Sequence, residues 1–330
     1  MLVTSLRLVN RLPKLKEMVP EEVEFIVPET YTDEELATLA GDIETIICVR
    51  LAEEVVRAAP KLRFIQKSGA GVDTIPFDVI NERDILISNT SGANPIPVAE
   101  SAMALVLALA KKIVPRHLKM VKGEVDRSRS QQLAGKTMGV LGLGSIGTEV
   151  ARRALAFGMK VAAVKRHPPT EADLALGLDF IGGPGDLGKV LEMSDFAVVV
   201  MPLTPETRGI IGEAELRRMK PSASLVNVAR AAIVDEDAVW KALNEGWIAG
   251  AAIDVWWTPH WWDATWLGEG QEATPSKYPF HELENVVVTP HVAGSTDTSG
   301  PRSLEIIAEN IHRISTGREP INQVDKRLQY

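Results

Sequence analysis

Two polar residues in this chain each follow an apolar run: Arg230 in Asn227-Val228-Ala229-Arg230-Ala231, and His291 in Thr289-Pro290-His291-Val292-Ala293-Gly294. The runs before them, residues 225–228 and 286–288, read as short buried strands. Both side chains are therefore expected at carboxyl ends of strands, where open α/β sheets bind ligands. An arginine there can hold a carboxylate and polarise a carbonyl, and a histidine can protonate the oxygen as hydride reaches the carbon. Such a pair suits the reduction of a 2-oxo acid. The plainer readings are a surface arginine and a helix-capping histidine.

The element that would position a hydride donor is Thr137-Met138-Gly139-Val140-Leu141-Gly142-Leu143-Gly144-Ser145-Ile146-Gly147, an apolar strand ending in G-x-G-x-x-G. Gly142 suits the tight turn, Gly144 lets a pyrophosphate approach the backbone, and Gly147 lets the next helix pack closely. Val150, Ala151, Ala154 and Leu155 follow at helical spacing, so the helix opened at Ser145 offers N–H groups and a positive dipole end to phosphate. A second glycine turn, Lys67-Ser68-Gly69-Ala70-Gly71-Val72-Asp73, could present backbone N–H groups to a carboxylate or be a plain connector.

With 330 residues the chain is long enough for about two domains. A net charge of −8 without any basic block argues against nucleic acid as a partner. The single cysteine, Cys48, leaves no internal disulfide or cysteine-cluster metal site and fits a reducing compartment. Arg7, Arg11, Lys14 and Lys16 interrupt any signal-like run, and the longest apolar stretch, residues 102–110, is far too short to span a bilayer. These features predict a cytoplasmic protein with no membrane partner.

Strand-like and helix-like segments alternate from the start: residues 23–27, 33–40, 45–49, 52–59, 63–67, 76–81 and 85–88. That alternation predicts a parallel sheet with crossover helices. Residues 98–122 read as one long helix, bent at Pro115, whose apolar positions nearly encircle it, so burial between domains or against a second subunit is expected. After a polar stretch at 123–132 and the glycine motif, strands recur at 161–164, 196–201, 223–228, 249–254 and 286–289. A last helix over 304–314, following a break at Gly300-Pro301, is expected back against the first domain. The fold class is thus α/β with two doubly wound parallel-sheet domains: residues 1–97 plus 298–330 for substrate, and 98–297 for a dinucleotide.

Leu133-Ala134-Gly135-Lys136-Thr137, the motif Gly142 to Gly147, Met201-Pro202-Leu203-Thr204-Pro205-Glu206-Thr207, Asn227 to Ala231, Gly250-Ala251-Ala252-Ile253-Asp254-Val255 and Thr289 to Gly294 together resemble the D-isomer-specific 2-hydroxyacid dehydrogenase family, in order and over nearly the whole chain. The resemblance implies a flavodoxin-like substrate domain and a Rossmann domain with the cleft between them, a nicotinamide cofactor, a small 2-oxo or 2-hydroxy acid as substrate, and a homodimer. It makes Arg230 the carboxylate-binding residue and His291 the acid/base, with the amides of Ala70, Gly71 and Val72 completing the carboxylate site. It places the cofactor on Gly142, Gly144, Ser145, Ile146, Gly147, Pro202, Thr207, Val228, Ala229, Arg230, Asp254, His291 and Gly294, and it calls for no metal. His260, His281 and His291 match no zinc spacing.

Two departures from the family pattern matter. At the end of the strand after the motif helix, where NAD-preferring relatives carry an Asp, this chain has Lys165 and Arg166, eighteen residues after Gly147. Two cations suit a 2′-phosphate and predict NADP(H) over NAD(H), although both could be solvated surface charges. The glutamate that pairs with the histidine in relatives is replaced by Pro259. The following segment holds Trp256, Trp257, Trp261, Trp262 and Trp266, five of the seven tryptophans, as an apolar lid or as a packing and dimer surface. Asp263, Glu269 or Glu272 could replace the missing carboxylate; without one, His291 should titrate near its ordinary ~6.5 or lower.

The expected function is NADP(H)-preferring reduction of a glyoxylate- or hydroxypyruvate-like 2-oxo acid to the D-2-hydroxy acid. Formate- or phosphite-type dehydrogenation and a catalytically weak, cofactor-sensing binding protein are the alternatives. Oxidation of phosphoglycerate by a regulated long form is disfavoured, since little chain follows the terminal helix.

Overall fold

The computed structural model describes residues 1–258 and 274–330. The chain divides into two compact units, Met1–Asn94 with Thr296–Tyr330, and Pro95–Ser295. The first is built on β1 (Leu2–Val3), β2 (Thr45–Cys48), β3 (Phe64–Lys67) and β4 (Leu86–Ser88), all parallel in that spatial order. The second holds β5 (Thr137–Leu141), β6 (Lys160–Val164), β7 (Phe180–Gly182), β8 (Phe196–Val199), β9 (Ser224–Asn227), β10 (Gly250–Ile253) and β11 (Val286–Val288).

In the first unit Ile26 forms a single parallel bridge to Leu2, outside β1. Counting that bridge as a second strand, the order along the sheet is 2-1-3-4-5, the flavodoxin-type winding. The strand expected over residues 23–27 is reduced to this bridge, and β1, with which it pairs, is itself two residues long. Side chains alternate between two layers, as strand geometry requires. Leu2, Ile46, Cys48 and Ile65 pack beneath helices Asp33–Leu39 and Glu53–Ala58, while Val3 and Ile47 pack against Leu304, Ile307 and Ile311 of the terminal helix Ser299–Ser315. Burial pushes the Cys48 thiol up to about 12, which leaves it inert. Gly300 and Pro301 do not precede the terminal helix but lie in its first turn, where a missing N–H costs nothing because those donors have no intrahelical acceptor. Asn310 of this helix is fully buried and donates to Gln66 Oε1 and Ser88 Oγ at 2.8 and 2.9 Å, which ties the C-terminal segment to β3 and β4.

The second unit has the strand order β11-β10-β9-β8-β5-β6-β7, all parallel. Read from β7, this is the 3-2-1-4-5-6 Rossmann order with a seventh strand added, and its winding reverses between β5 and β8. Met138, Val140, Val161 and Ala163 pack on one face with helices Pro95–Lys111 and Ser145–Ala156. Leu141, Ala162, Ala197 and Val199 pack on the other with Leu187–Met193, Glu213–Arg218 and Glu236–Asn244. Burial on both faces explains why these strands read as unbroken apolar runs. The edge strand β7, half-buried and three residues long, gave no such signal.

The helix expected over 98–122 is two helices, Pro95–Lys111 and Ile113–Val121. The break is at Lys112, whose φ of 53° is left-handed, rather than at Pro115. Pro115 is the third residue of the second helix, a position whose amide needs no intrahelical partner. Burial is confined to the first helix. In the second, Ile113, Leu118, Met120 and Val121 are all exposed on this chain. Among the described residues no helix is long and apolar enough to cross a membrane.

Candidate active site

The turn after β5 is held by its backbone. Gly142 has φ +118°, and a Cβ there would lie 2.7 Å from the Met201 amide nitrogen, so both conformation and the approach of the β8 loop require glycine. A Cβ on Gly147 would fall 2.0 Å from the Gly142 carbonyl oxygen, which is the close helix packing expected from the motif. Gly144 differs: a Cβ there would meet nothing within 4 Å. Gly144 and Ser145 are exposed at the start of the twelve-residue helix Ser145–Ala156, whose first turn holds no acidic side chain. Open space beside a glycine backbone at a helix N-terminus suits a pyrophosphate, so these residues fit a dinucleotide.

The strands flanking this turn carry charges. Beyond β6, Lys165 pairs with Asp173 and Arg166 pairs with Glu206, so neither predicted phosphate cation is simply solvated. Asp173 is buried and its Oδ2 also accepts from the Thr170 amide and hydroxyl, both at 2.7 Å, within the N-terminal capping box of helix Glu171–Leu174. The Lys165 ammonium, followed by the Thr170 donors, holds this carboxyl down at about 2. Beyond β8, the Thr207 hydroxyl donates to the Pro202 carbonyl at 2.7 Å and accepts from the Thr204 amide at 2.8 Å, closing the loop through Glu206. Thr207 thus shapes the loop that Pro202 opens.

Arg230 follows β9 in extended conformation, with φ −143°. The buried Asn227 side chain clasps this turn from both sides: its Nδ2 donates to the Arg230 carbonyl at 3.0 Å and its Oδ1 accepts from the Ala229 amide at 3.1 Å. Arg230 Nη1 donates to the Ala229 carbonyl at 2.8 Å, and Val228 is buried beneath. In the sequence Asn227 stands only as the first residue of the Asn227 to Ala231 run, with no role of its own, although an Asn at a strand end that bonds two residues onward is an Asx-turn signal.

His291 follows β11 with a left-handed backbone, φ +56°. The source of that bend is Asp254, at the end of the neighbouring β10 and 1 % exposed. Its Oδ1 accepts from the Thr289 hydroxyl at 2.6 Å and the Val292 amide at 2.9 Å, and its Oδ2 accepts from the Ala293 amide at 2.9 Å. The chain is thereby wrapped around a carboxylate, with His291 at the crest and Gly294 just beyond. Asp254, expected among the cofactor contacts, is here the anchor of the histidine loop. Because β9, β10 and β11 are adjacent and parallel, Arg230, Asp254 and His291 lie along one carboxyl edge of the sheet.

Two of the tryptophans are packing residues: Trp256 Nε1 donates to the Thr289 carbonyl at 3.0 Å, and Trp257 Nε1 to the Val234 carbonyl at 2.9 Å, with its ring stacked on Phe280. Pro259, His260, Trp261, Trp262, Asp263, Trp266, Glu269 and Glu272 lie outside the described residues. His281 lies in the short 3₁₀ turn Phe280–Glu282.

In the first unit, the turn after β3 is braced by Thr90, whose Oγ1 accepts from the Gly69 amide at 2.8 Å, and by Asn89, which donates to the Ala70 carbonyl at 2.8 Å. The amides of Ala70, Gly71 and Val72 make no hydrogen bond among the described residues, so they can serve an anion.

The model of the D-isomer specific 2-hydroxyacid dehydrogenase NAD-binding domain matches residues 103–293. A glyoxylate reductase of Korarchaeum cryptofilum is 37% identical over 281 residues, covering 83% of this chain and 80% of that protein. The D-3-phosphoglycerate dehydrogenase of Methanocaldococcus jannaschii is 35% identical over 92% of this chain, which spans 56% of that longer protein. Among solved structures, the NADPH-dependent glyoxylate/hydroxypyruvate reductase of Sinorhizobium meliloti, in complex with NADP and malonate, superposes with a TM-score of 0.80 at 26% identity, covering 99% of this chain and 97% of that one. With a matching domain model over more than half its length and a relative above one-third identity, the chain belongs to the D-isomer specific 2-hydroxyacid dehydrogenases, NAD(P)-dependent oxidoreductases that act on a CH–OH group.

Proposed function

We propose that this enzyme reduces a small 2-oxo acid of the glyoxylate or hydroxypyruvate kind to the D-2-hydroxy acid, and that it prefers NADPH. The observation that carries the reading is the edge formed by β9, β10 and β11, where buried Asn227 and Asp254 hold the segments bearing Arg230 and His291. A bound nicotinamide supplies the hydride. Arg230 holds the substrate carboxylate and polarises its carbonyl, and the His291 imidazolium gives its proton to the carbonyl oxygen. Ala70, Gly71 and Val72 are proposed as substrate-binding amides on their own unit. The cofactor preference rests on Lys165 and Arg166 beyond β6, where the ribose end of a dinucleotide binds in this fold. We further propose a homodimer, supported by the exposed apolar side chains of helix Ile113–Val121, which light scattering would test.

Turnover of a panel of 2-oxo acids, formate and phosphite with NADPH and NADH tests the whole reading. His291→Ala should lower kcat by about 10²–10⁴-fold with cofactor binding retained. Arg230→Ala should raise KM as well as lower kcat, because its contact strengthens as charge develops on the oxygen. Full activity in either variant removes that residue from the mechanism, and turnover of formate or phosphite alone replaces the substrate class. Reduction consumes the His291 proton and should fall as pH rises through the titration of that imidazole. If one of Asp263, Glu269 or Glu272 does pair with it, the fall moves above neutral pH and the matching amide variant restores it.

A further inference from the structure

The two cations beyond β6 are held by very different carboxylates. Lys165 is bound to Asp173, whose side chain is 8% exposed and whose Oδ2 also closes a helix cap through Thr170. Giving up Lys165 would leave that buried carboxylate short of its cation, a costly change. Arg166 is bound to Glu206, a side chain 69% exposed on the loop after β8. Exposed pairs of this kind are weak and exchange readily with solvent ions.

Position gives that weak pair a consequence. The glycine turn leaves β5, whose two neighbours are β6 and β8. Leu143 N donates to the Val164 carbonyl on the β6 side at 2.9 Å, and Gly142 abuts Val200 and Met201 on the β8 side. The Arg166–Glu206 pair therefore joins the loops on both sides of the dinucleotide turn, forty residues apart in sequence. A phosphate on the ribose 2′-oxygen would find Arg166 already engaged and Glu206 as an adjacent like charge.

Building on the NADP(H) reading above, we propose that Glu206 sets the degree of cofactor discrimination. It holds Arg166 when the nucleotide lacks a 2′-phosphate and yields the guanidinium when one is present, while Lys165 stays with Asp173. Recognition of the phosphate is then an exchange of one ion pair for another at Arg166. Lys165 is a fixed positive background, and Glu206 competes with the ligand.

Calorimetric titration with 2′,5′-ADP and 5′-AMP tests this without turnover. Glu206→Gln should tighten 2′,5′-ADP roughly 2–5-fold, the range of an exposed ion pair, and leave 5′-AMP unchanged. Arg166→Ala should weaken 2′,5′-ADP by about tenfold or more, as loss of a charge-assisted contact implies. In the Arg166→Ala background, adding Glu206→Gln should give no further gain, since the two effects share one contact. An equal gain in both backgrounds, tightening of both nucleotides alike, or discrimination lost in Lys165→Ala but kept in Arg166→Ala would overturn the exchange. Steady-state kcat/KM for NADPH and NADH with wild-type enzyme separates the two claims. Preference for NADH refutes the cofactor reading, whereas the response of 2′,5′-ADP to Glu206→Gln still decides the exchange.

Discussion

The turn after β5 and the edge of β9, β10 and β11 occupy equivalent ends of one parallel sheet, yet they are built on opposite principles. In the turn, conformation is set by missing side chains: Gly142 and Gly147 allow backbone to meet backbone at distances a Cβ would forbid, and Gly144 leaves space. At the edge, conformation is set by buried side chains that act as scaffolds, Asn227 beneath Arg230 and Asp254 beneath His291. A dinucleotide phosphate is recognised by backbone N–H groups, which need only exposure. In the proposed function a proton donor and a carbonyl-polarising cation must be aimed, and aiming needs a fixed support.

The largest test of that contrast is Asp254→Ala. Three donors would lose a buried acceptor, so the expected destabilisation is about 3–5 kcal/mol with kcat reduced, measured by urea unfolding and steady-state kinetics. A loss below about 1 kcal/mol would mean the histidine loop holds itself. Gly142→Ala should follow at about 2–4 kcal/mol, from a strained φ and the clash with Met201, and nucleotide binding should fall in parallel. Gly144→Ala sharpens the comparison from the other side: stability should stay within about 0.5 kcal/mol, while nucleotide binding by fluorescence titration should weaken because the new methyl enters the open space beside the helix N-terminus. Equal destabilisation by the two glycine variants would erase the distinction drawn between them.

The smallest expected effect concerns pH. The Asp173 carboxyl lies at about 2 in the folded chain against an ordinary 3.8, so its contribution to stability is complete above the ordinary value and is lost as pH falls through about 2. In urea unfolding from pH 5 to 2, Asp173→Asn should therefore be less stable than wild type at pH 5, and the gap should close towards pH 2. A gap constant over that range would show that Lys165 does not favour the carboxylate in the folded state.

Both supports illustrate why parts of the site escaped sequence reading. Arg230 and His291 were legible because a polar residue after a buried apolar run marks a strand end, a local signal. Asp254 stands out in the sequence at the end of an apolar run, but its hold on the histidine loop does not, since its partners Thr289, Val292 and Ala293 lie 35 to 39 residues away. Asp173 and Glu206 gave no signal as partners of the two cations, and Lys165 and Arg166 read as equivalent until the structure showed one buried pair and one exposed. The bend assigned to Pro115 fell at Lys112 because a proline near a helix start is harmless, and a left-handed lysine carries no sequence mark.

The sequence by itself determined the alternation of strands and helices, the dinucleotide turn and the two strand-end side chains, because each depends on residues close together in the chain: apolar periodicity, glycine where backbone must approach backbone, and a break in burial. Only the tertiary structure decided which carboxylate serves which cation, that Asp254 carries the histidine loop, and that Trp256 and Trp257 are packing residues. Those outcomes depend on which strands become neighbours in a parallel sheet, and parallel neighbours are joined by long crossovers that bring together residues no local pattern relates.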